Sequence, residues 1–437
     1  MYPVRYIHAA DLHLDAAFRG LTREAASAGA GVAQMLHKAT FTALERLFRL
    51  CETENPDFLV IAGDIYNQED HSLKAQLALR DGCERLAARG VRVFLAHGNH
   101  DPLSSRLRTL SWPDNVTVFG SQVETHPVLR DGAPVALVHG ISHAAARESR
   151  NLAKAFHRAR PEVFDSEKDG HDCFQLGVLH CTVENVQHPE RYAPCTLEDL
   201  RGAELDAWAL GHVHERRILC DTPFIAYPGN IQGLHVNEPG PRGCLLITAT
   251  PDPGQGFACD AVFHDLAPVR WETLEISVEG LSRPDAVETT VQDAMEAAAA
   301  RTDAGCEALM IRVRLTGRTP LDSELRAPDT LADLAERLRD AASGTPLVWL
   351  KDIDVATGQM LNLDELRRRE DLLGETLRGI DEVRRSPDAL RELLAGPLNP
   401  LFRHPKARKA LQPPADADLA ALLEDAERLC IDLMEAH

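Results

Sequence analysis

The stretch Val4-Arg5-Tyr6-Ile7-His8-Ala9-Ala10-Asp11-Leu12-His13 sets the pattern of the chain: a short apolar run ends in a carboxylate and an imidazole two residues apart. The device returns four times. Phe58 to Ala62 leads into Gly63-Asp64, and Val91 to Ala96 leads into Gly98-Asn99-His100-Asp101. Leu176 to Leu179 ends in His180, and Ala207 to Leu210 ends in Gly211-His212-Val213-His214. Such runs read as strands buried on both faces, with Val135 to His139 as another. Helical periodicity over Phe41 to Cys51 and Ser72 to Ala88 separates them, so the first half is expected to be an α/β layer structure.

Each cluster of Asp, Asn and His follows a predicted strand, where α/β sheets place their sites. If the strands run parallel, the clusters converge on one rim as a metal site. Imidazole together with carboxylate suits Mn, Fe or Zn, whereas an all-oxygen shell would suggest Mg or Ca. No thiolate cluster argues for a structural zinc. Asp11, His13, Asp64, Asn99, His180, His212 and His214 are too many donors for one tetrahedral ion and fit two ions sharing a carboxylate, with Asp64 as the natural bridge. Two cations about 3.5 to 4 Å apart activate water and clamp phosphoryl oxygens, so phosphate ester hydrolysis is the indicated chemistry. A lone Asp-x-His or Gly-Asp is commonplace, and the ordered set carries the information. His8, His97, His139 and His143 read as packing or supporting residues near the same strands, and Cys181 as a core thiol. Glu69, Asp70 and Asp81 read as a solvated helix face.

A chain of 437 residues suggests two or three domains. With 44% hydrophobic and 26% charged residues it is an ordinary globular composition, neither disordered nor fibrous. The balance of 47 basic against 67 acidic residues, 47 − 67 = −20, argues against a broad basic surface for nucleic acid. A nucleic-acid substrate would need local help from bound cations, basic stripes or a partner chain. The ten cysteines are scattered without a C-x-x-C pair and read as reduced thiols. The first residues lack the features of a signal peptide, and no run reaches the roughly 18 to 20 apolar residues of a membrane span. The expectation is a cytoplasmic protein with no membrane association.

Further strands are expected at Arg217 to Cys220, Phe224 to Tyr227 and Cys244 to Thr248, and a linker at Pro251 to Gly256. The expected domains are 1–250, a small α+β unit at 265–355 and a helical region at 360–437. In the small unit Leu274, Ile276 and Val278 alternate with polar residues, as do Ile311, Val313 and Leu315, with helices at Pro284 to Arg301 and Leu331 to Ala342 and a last strand at Leu347 to Ile353. Breaks are expected near Pro387, Pro397 and Pro413-Pro414. In the last piece Leu419, Leu422, Ala426, Leu429 and Leu433 form one apolar stripe, expected to pack on its own chain, with docking on a partner as the alternative.

In their order, the five clusters are similar to the motif set of the calcineurin-like metallophosphoesterases. Ala226-Tyr227-Pro228-Gly229-Asn230 and Ile311-Arg312-Val313-Arg314-Leu315-Thr316-Gly317 resemble the SbcD-type DNA repair exonucleases, in their bacterial YhaO-like branch. The resemblance covers roughly residues 1 to 355. It implies a two-layer-sheet (αββα) metallophosphoesterase domain, a small cap domain that admits DNA, and C-terminal helices that dock on an SbcC-like, SMC-type ATPase. It further implies Mn, with Fe or Mg as other ions, and a homodimer. Asp11, His13, Asp64 and His214 would hold one ion, and Asp64, Asn99, His180 and His212 the other. His100 would be the catalytic histidine that is not a ligand, with Asp101 grouped beside it. Asn67 stands where relatives often carry Asp or His, and its side-chain oxygen is expected to accept a hydrogen bond from His100. The leading reading is a Mn-dependent DNA nuclease. The alternatives are a phosphodiesterase or phosphatase acting on nucleotides or other small phosphoesters, and a structural ATPase-tethering subunit with a vestigial site. Arg312, Arg314 and Arg318 are candidate DNA contacts, with the solvent face of a strand as the alternative for Arg312 and Arg314.

Overall fold

The computed structural model describes residues 3–18, 30–67, 72–105, 111–159, 173–184, 190–252, 256–341, 346–360, 363–386, 388–393 and 416–435. Fifteen strands are described among them: β1 (Val4–Ala9), β2 (Phe58–Ala62), β3 (Arg92–Ala96), β4 (Val116–Val118), β5 (Glu124–Arg130), β6 (Ala133–Gly140), β7 (Phe174–His180), β8 (Ala207–Gly211), β9 (Arg217–Asp221), β10 (Phe224–Tyr227), β11 (Gly243–Asp252), β12 (Gly256–Asp265), β13 (Val269–Ser277), β14 (Ala308–Thr319) and β15 (Leu347–Gln359).

Two six-stranded sheets form the first half, in the orders β12-β11-β1-β2-β3-β4 and β5-β6-β7-β8-β10-β9. Within each, four neighbouring strands run parallel, β1 to β4 in one and β6, β7, β8 and β10 in the other, and antiparallel strands complete the edges. Alternation explains why these strands are apolar throughout. In β2, Phe58, Val60 and Ala62 face the other sheet, where they join Tyr6, Phe94, Phe174, Val178 and Phe224 in the inter-sheet core. Leu59 and Ile61 point the opposite way, onto Leu47, Phe48, Leu79 and Leu86 of the helices Ala30–Glu54 and Leu73–Ala87. The second sheet buries its outer face under Leu152, Phe156 and Leu200, around Trp208. The layers are therefore αββα. Ser72 caps its helix by accepting a hydrogen bond from the Ala75 amide at 3.1 Å, as a serine before an amphipathic run is suited to do.

The Pro251 to Gly256 stretch is not a free linker. Pro251 and Asp252 end β11, Gly256 begins β12, and Asp252 pairs with Gly256 in an antiparallel ladder; residues 253–255 lie outside the described residues.

A three-stranded sheet of order β13-β14-β15 follows, with helices Pro284–Ala300 and Pro328–Ala341 between its strands. The chain divides into two compact units: Met1–Leu274 with Gln292–Val313 and Ala335–Ile353, and Glu275–Val291 with Arg314–Leu334 and Asp354–His437. The arginines of β14 reach across to β15. Arg312 makes two hydrogen bonds to Asp352, at 2.7 and 2.8 Å, Arg314 lies 3.5 Å from Asp354, and Arg318 donates to the Gln359 carbonyl at 3.0 Å. These are cross-strand ion pairs and edge bonds of the sheet.

In the second unit the helix Asp416–Glu435 corrects the expected stripe. Leu419 is buried, but Leu422, Leu429 and Leu433 are 44, 58 and 64% exposed. The helix carries a second apolar face, and it is this one, through Leu423, Ile431 and Met434, that packs on Leu366, Leu373, Leu377 and Leu390. Arg367 and Arg384 reinforce the contact by reaching Glu427. Pro387, Pro397, Pro413 and Pro414 lie outside the described residues. No described helix is long and apolar enough to cross a membrane.

Candidate metal centre

The clusters stand at the C-terminal ends of β1, β2 and β3 in one sheet and of β7 and β8 in the other, so both sheets supply the site. The turns that carry them are tied together before any side chain is considered. Asp11 N donates to the Gly63 carbonyl at 3.0 Å and His13 N to the Asp64 carbonyl at 3.1 Å. The Asp11 carboxylate accepts from the His212 amide at 3.0 and 3.1 Å, and Asp64 Oδ1 accepts from the His100 amide at 2.8 Å.

Four of these residues hold left-handed backbone: Asp11 at φ 53°, His13 at 41°, Asp64 at 50° and His212 at 100°. Such conformations are uncommon for side-chain-bearing residues and persist where the surroundings over-determine them, which is typical of functional sites. Gly98 has a different constraint. A methyl group there would collide with Asp64 Oδ1 and come within 2.7 Å of His180 Nε2, so the space is reserved for the site.

Two groups of donors result: Asp11, His13 and His214 in one, Asp64, His180 and His212 in the other, each with its ligand atoms within 4.8 Å of one another. In the first group, His13 Nδ1 lies 2.8 Å from Asn67 Oδ1 and His214 Nδ1 lies 2.6 Å from Glu238 Oε1. An oxygen acceptor at each Nδ1 calls for a proton there. That leaves two Nε2 lone pairs facing each other at 3.1 Å, an arrangement that a shared cation satisfies and that two neutral rings do not. In the second group, His180 Nδ1 donates to the Ala62 carbonyl at 2.9 Å, turning Nε2 to Asn99 Oδ1 at 3.1 Å and Asp64 Oδ2 at 3.2 Å. His212 Nε2 lies 3.2 Å from the Glu190 carbonyl. The donor set therefore fits two divalent cations.

Electrostatics agree with a site made for cations. Burial lowers the His13 imidazole to about 4, with His214 adding to the effect. Burial would lower His180 too, yet Asp64, by charge and hydrogen bond, and Asp11 hold it up at about 9. Burial raises the Asp11 carboxyl to about 6 against the pull of His180 and His214. Burial works the same way on Asp64, but His180 outweighs it and holds that carboxyl well below the usual range. Without cations, protons on histidines balance the carboxylates, and metal binding displaces them.

His100 is half-buried beside the first group, its ring 5.1 Å from that of His13 and edge-on to it. The expected bond from His100 to Asn67 is not present. Asn67 bonds His13 instead, because His13 Nδ1 points along the chain toward the turn after β2. Asp101 is placed apart from His100. It is wholly buried and accepts hydrogen bonds from the Gly98 amide at 2.8 Å and the Ile65 amide at 3.0 Å, and it pairs with His97 at 3.1 Å. It positions the turn that carries Asn99 and His100. His8, His139 and His143 bond Leu210 O, Gln175 and His180 O respectively. Cys181 lies in the outer core, and Asp81 is exposed, with Glu69 and Asp70 outside the described residues. Glu238 was missed by sequence reasoning: a carboxylate 24 residues beyond its histidine, in a loop, carries no spacing signal.

Residues 4–216 match the calcineurin-like phosphoesterase family, and residues 271–358 match the family described as metallophosphoesterase YhaO, middle domain. The uncharacterized metallophosphoesterase YhaO of Bacillus subtilis (strain 168) is 30% identical over 365 residues, 83% of this chain and 84% of that protein. Among solved structures, a dimetal phosphatase from Danio rerio is similar over 60% of this chain and 99% of its own, at 14% identity and a TM-score of 0.33.

Proposed function

The chain belongs to the calcineurin-like metallophosphoesterases, with a YhaO-type middle domain, and from that premise we propose that it is a Mn-dependent DNA nuclease, an exonuclease subunit of a DNA repair complex. The observation that carries the phosphodiesterase part is the pair of Nε2 atoms, on His13 and His214, facing each other at 3.1 Å among buried carboxylates. Asp11, His13, Asp64 and His214 would hold one ion, and Asp64, Asn99, His180 and His212 the other. Cations held there would supply Lewis-acid polarisation of a phosphoryl group and activation of water. His100, the half-exposed histidine beside the first group, protonates the leaving oxygen. The Asp64 carboxylate, through the His100 amide, fixes that residue's place over the site.

The DNA part rests on the resemblance of the Tyr227-Pro228-Gly229-Asn230 and Ile311 to Gly317 motifs to SbcD-type nucleases. An SMC-type ATPase partner is supported by the leucines exposed on Asp416–Glu435, which offer an apolar face to another helix. A homodimer and action in the cytoplasm complete the proposal.

A second reading, hydrolysis of nucleotides or other small phosphoesters, draws on a specific observation: Arg312 and Arg314 are paired with Asp352 and Asp354, and the chain carries a net charge of −20. The test is degradation of linear double-stranded and single-stranded DNA with Mn, Mg or EDTA, beside hydrolysis of bis-p-nitrophenyl phosphate. Mn-dependent DNA cleavage, lost in His100→Ala and Asp64→Ala, is the expected result. Intact DNA with cleavage of the small diester would favour the second reading. Inertness toward both would favour a structural subunit.

A further inference from the structure

We infer that Glu238 is a positioning residue that fixes His214 as a ligand of the first ion, and that a carboxylate is required in that place. The inference rests on the two-ion reading above and adds a residue to it.

Glu238 Oε1 lies 2.6 Å from His214 Nδ1. Its other oxygen accepts from the Leu234 amide at 2.7 Å and from Asn230 Nδ2 at 3.2 Å. Three N–H donors thus converge on two oxygens. A carboxylate is acceptor-only and satisfies all of them, whereas a glutamine would turn its own NH2 toward a donor. Because Oε1 can only accept, His214 Nδ1 must carry the proton, and Nε2 is left as the coordinating atom. This is how a carboxylate sets the tautomer and orientation of a metal-binding imidazole.

The same loop also holds the His214 main chain. Asn230 N donates to the His214 carbonyl at 3.2 Å, and Arg242 Nη1 donates to that carbonyl as well. Arg242 further donates to Asn230 Oδ1 at 3.2 Å and to the Pro239 carbonyl at 3.0 Å, closing the loop on itself. Side chain and backbone of one histidine are therefore gripped from a single segment. His13, its partner across the site, is oriented by a neutral amide, Asn67.

The experiment is a Mn titration of the full chain followed by the electron paramagnetic resonance of free Mn, comparing wild type, Glu238→Gln and Glu238→Asp, with thermal melting of each metal-free protein. Loss of an orienting carboxylate typically weakens metal binding about 10- to 100-fold. One of two binding steps should weaken by that factor in Glu238→Gln, the other staying as in wild type. Two wild-type steps in a folded Glu238→Gln, or equal weakening of both in step with a lowered melting point, would overturn the inference. If both variants fail to fold, 15N NMR of metal-free wild type at pH 9 decides the matter: a His214 ring protonated at Nδ1 and bare at Nε2 supports it, and the opposite tautomer overturns it. A wild type that binds no Mn at all would sink the two-ion reading, and His214's ligand role with it, while the NMR result would still show whether Glu238 orients the ring.

Discussion

The two donor groups differ in what holds their histidines. In the first, His13 and His214 are oriented by side chains, Asn67 and Glu238. In the second, His180 and His212 bond the main-chain carbonyls of Ala62 and Glu190. A carbonyl cannot be deleted by substitution, so the second group is built into the backbone of β2 and of the loop before α-helix Leu197–Arg201. The first group is tunable, one residue at a time. Second-group failures should follow backbone changes and first-group failures should follow single side-chain changes.

The largest effect is expected from Asp64→Ala, which removes the carboxylate proposed to be shared by the two ions. Diester hydrolysis should fall at least about a thousandfold, and Mn titration should lose both binding steps rather than one. His100→Ala should cost about 10² to 10⁴ in kcat, the usual worth of a general acid, with both Mn steps intact; weakened Mn binding there would place His100 among the ligands. Gly98→Ala probes the backbone-built group. Its methyl group would meet Asp64 and His180, so the second step, which depends on both residues, should weaken by about tenfold or more and more than the first. Asn67→Asp should tighten the first step by a few-fold, since a charged acceptor raises the basicity of His13 more than an amide does, and Asn67→Ala should weaken it. A shift in the acidic limb of the activity profile with unchanged Mn affinity would restore the His100 pairing that the structure does not show.

The smallest effect concerns stability. Burial holds His8 down to about 3 and His139 down to about 4. Between those values and 6.5 the unfolded chain binds protons that the folded one does not, so stability is present above pH 6.5 and is lost as pH falls toward 4. For His139 a depression of that size corresponds to about 3 kcal/mol. His139→Gln should therefore flatten the melting temperature between pH 7 and pH 4 relative to wild type, and an unchanged slope would refute the assignment.

How much of this was legible in the sequence depends on whether the signal is local. β1, β2, β3, β7 and β8 were readable because both faces are buried, and each ends in a motif of ligand-type residues. Of the edge strands of the two large sheets, β9 was read at Arg217 to Cys220, but β4, β5 and β12 were not. β5, Glu-Thr-His-Pro-Val-Leu-Arg, mixes polar residues with a proline, which an edge tolerates, and β12 alternates buried and exposed residues at the sheet margin. On Asp416–Glu435 two apolar faces coexist, and periodicity alone does not say which one packs. The seven candidate donors were nameable from their places at strand ends, and the structure gathers six of them in two groups, whereas Asn67's partner, the inward turn of Asp101 and the grip of Glu238 are tertiary facts. Each depends on where a turn directs one ring nitrogen or one carboxylate, and no sequence period encodes that.

The most direct test of the central claim is the anomalous scattering of Mn in crystals of the loaded protein. Two peaks are predicted, one among Asp11, His13 and His214 and one among Asp64, His180 and His212. A single peak, or ions bound away from these residues, would contradict the two-ion centre.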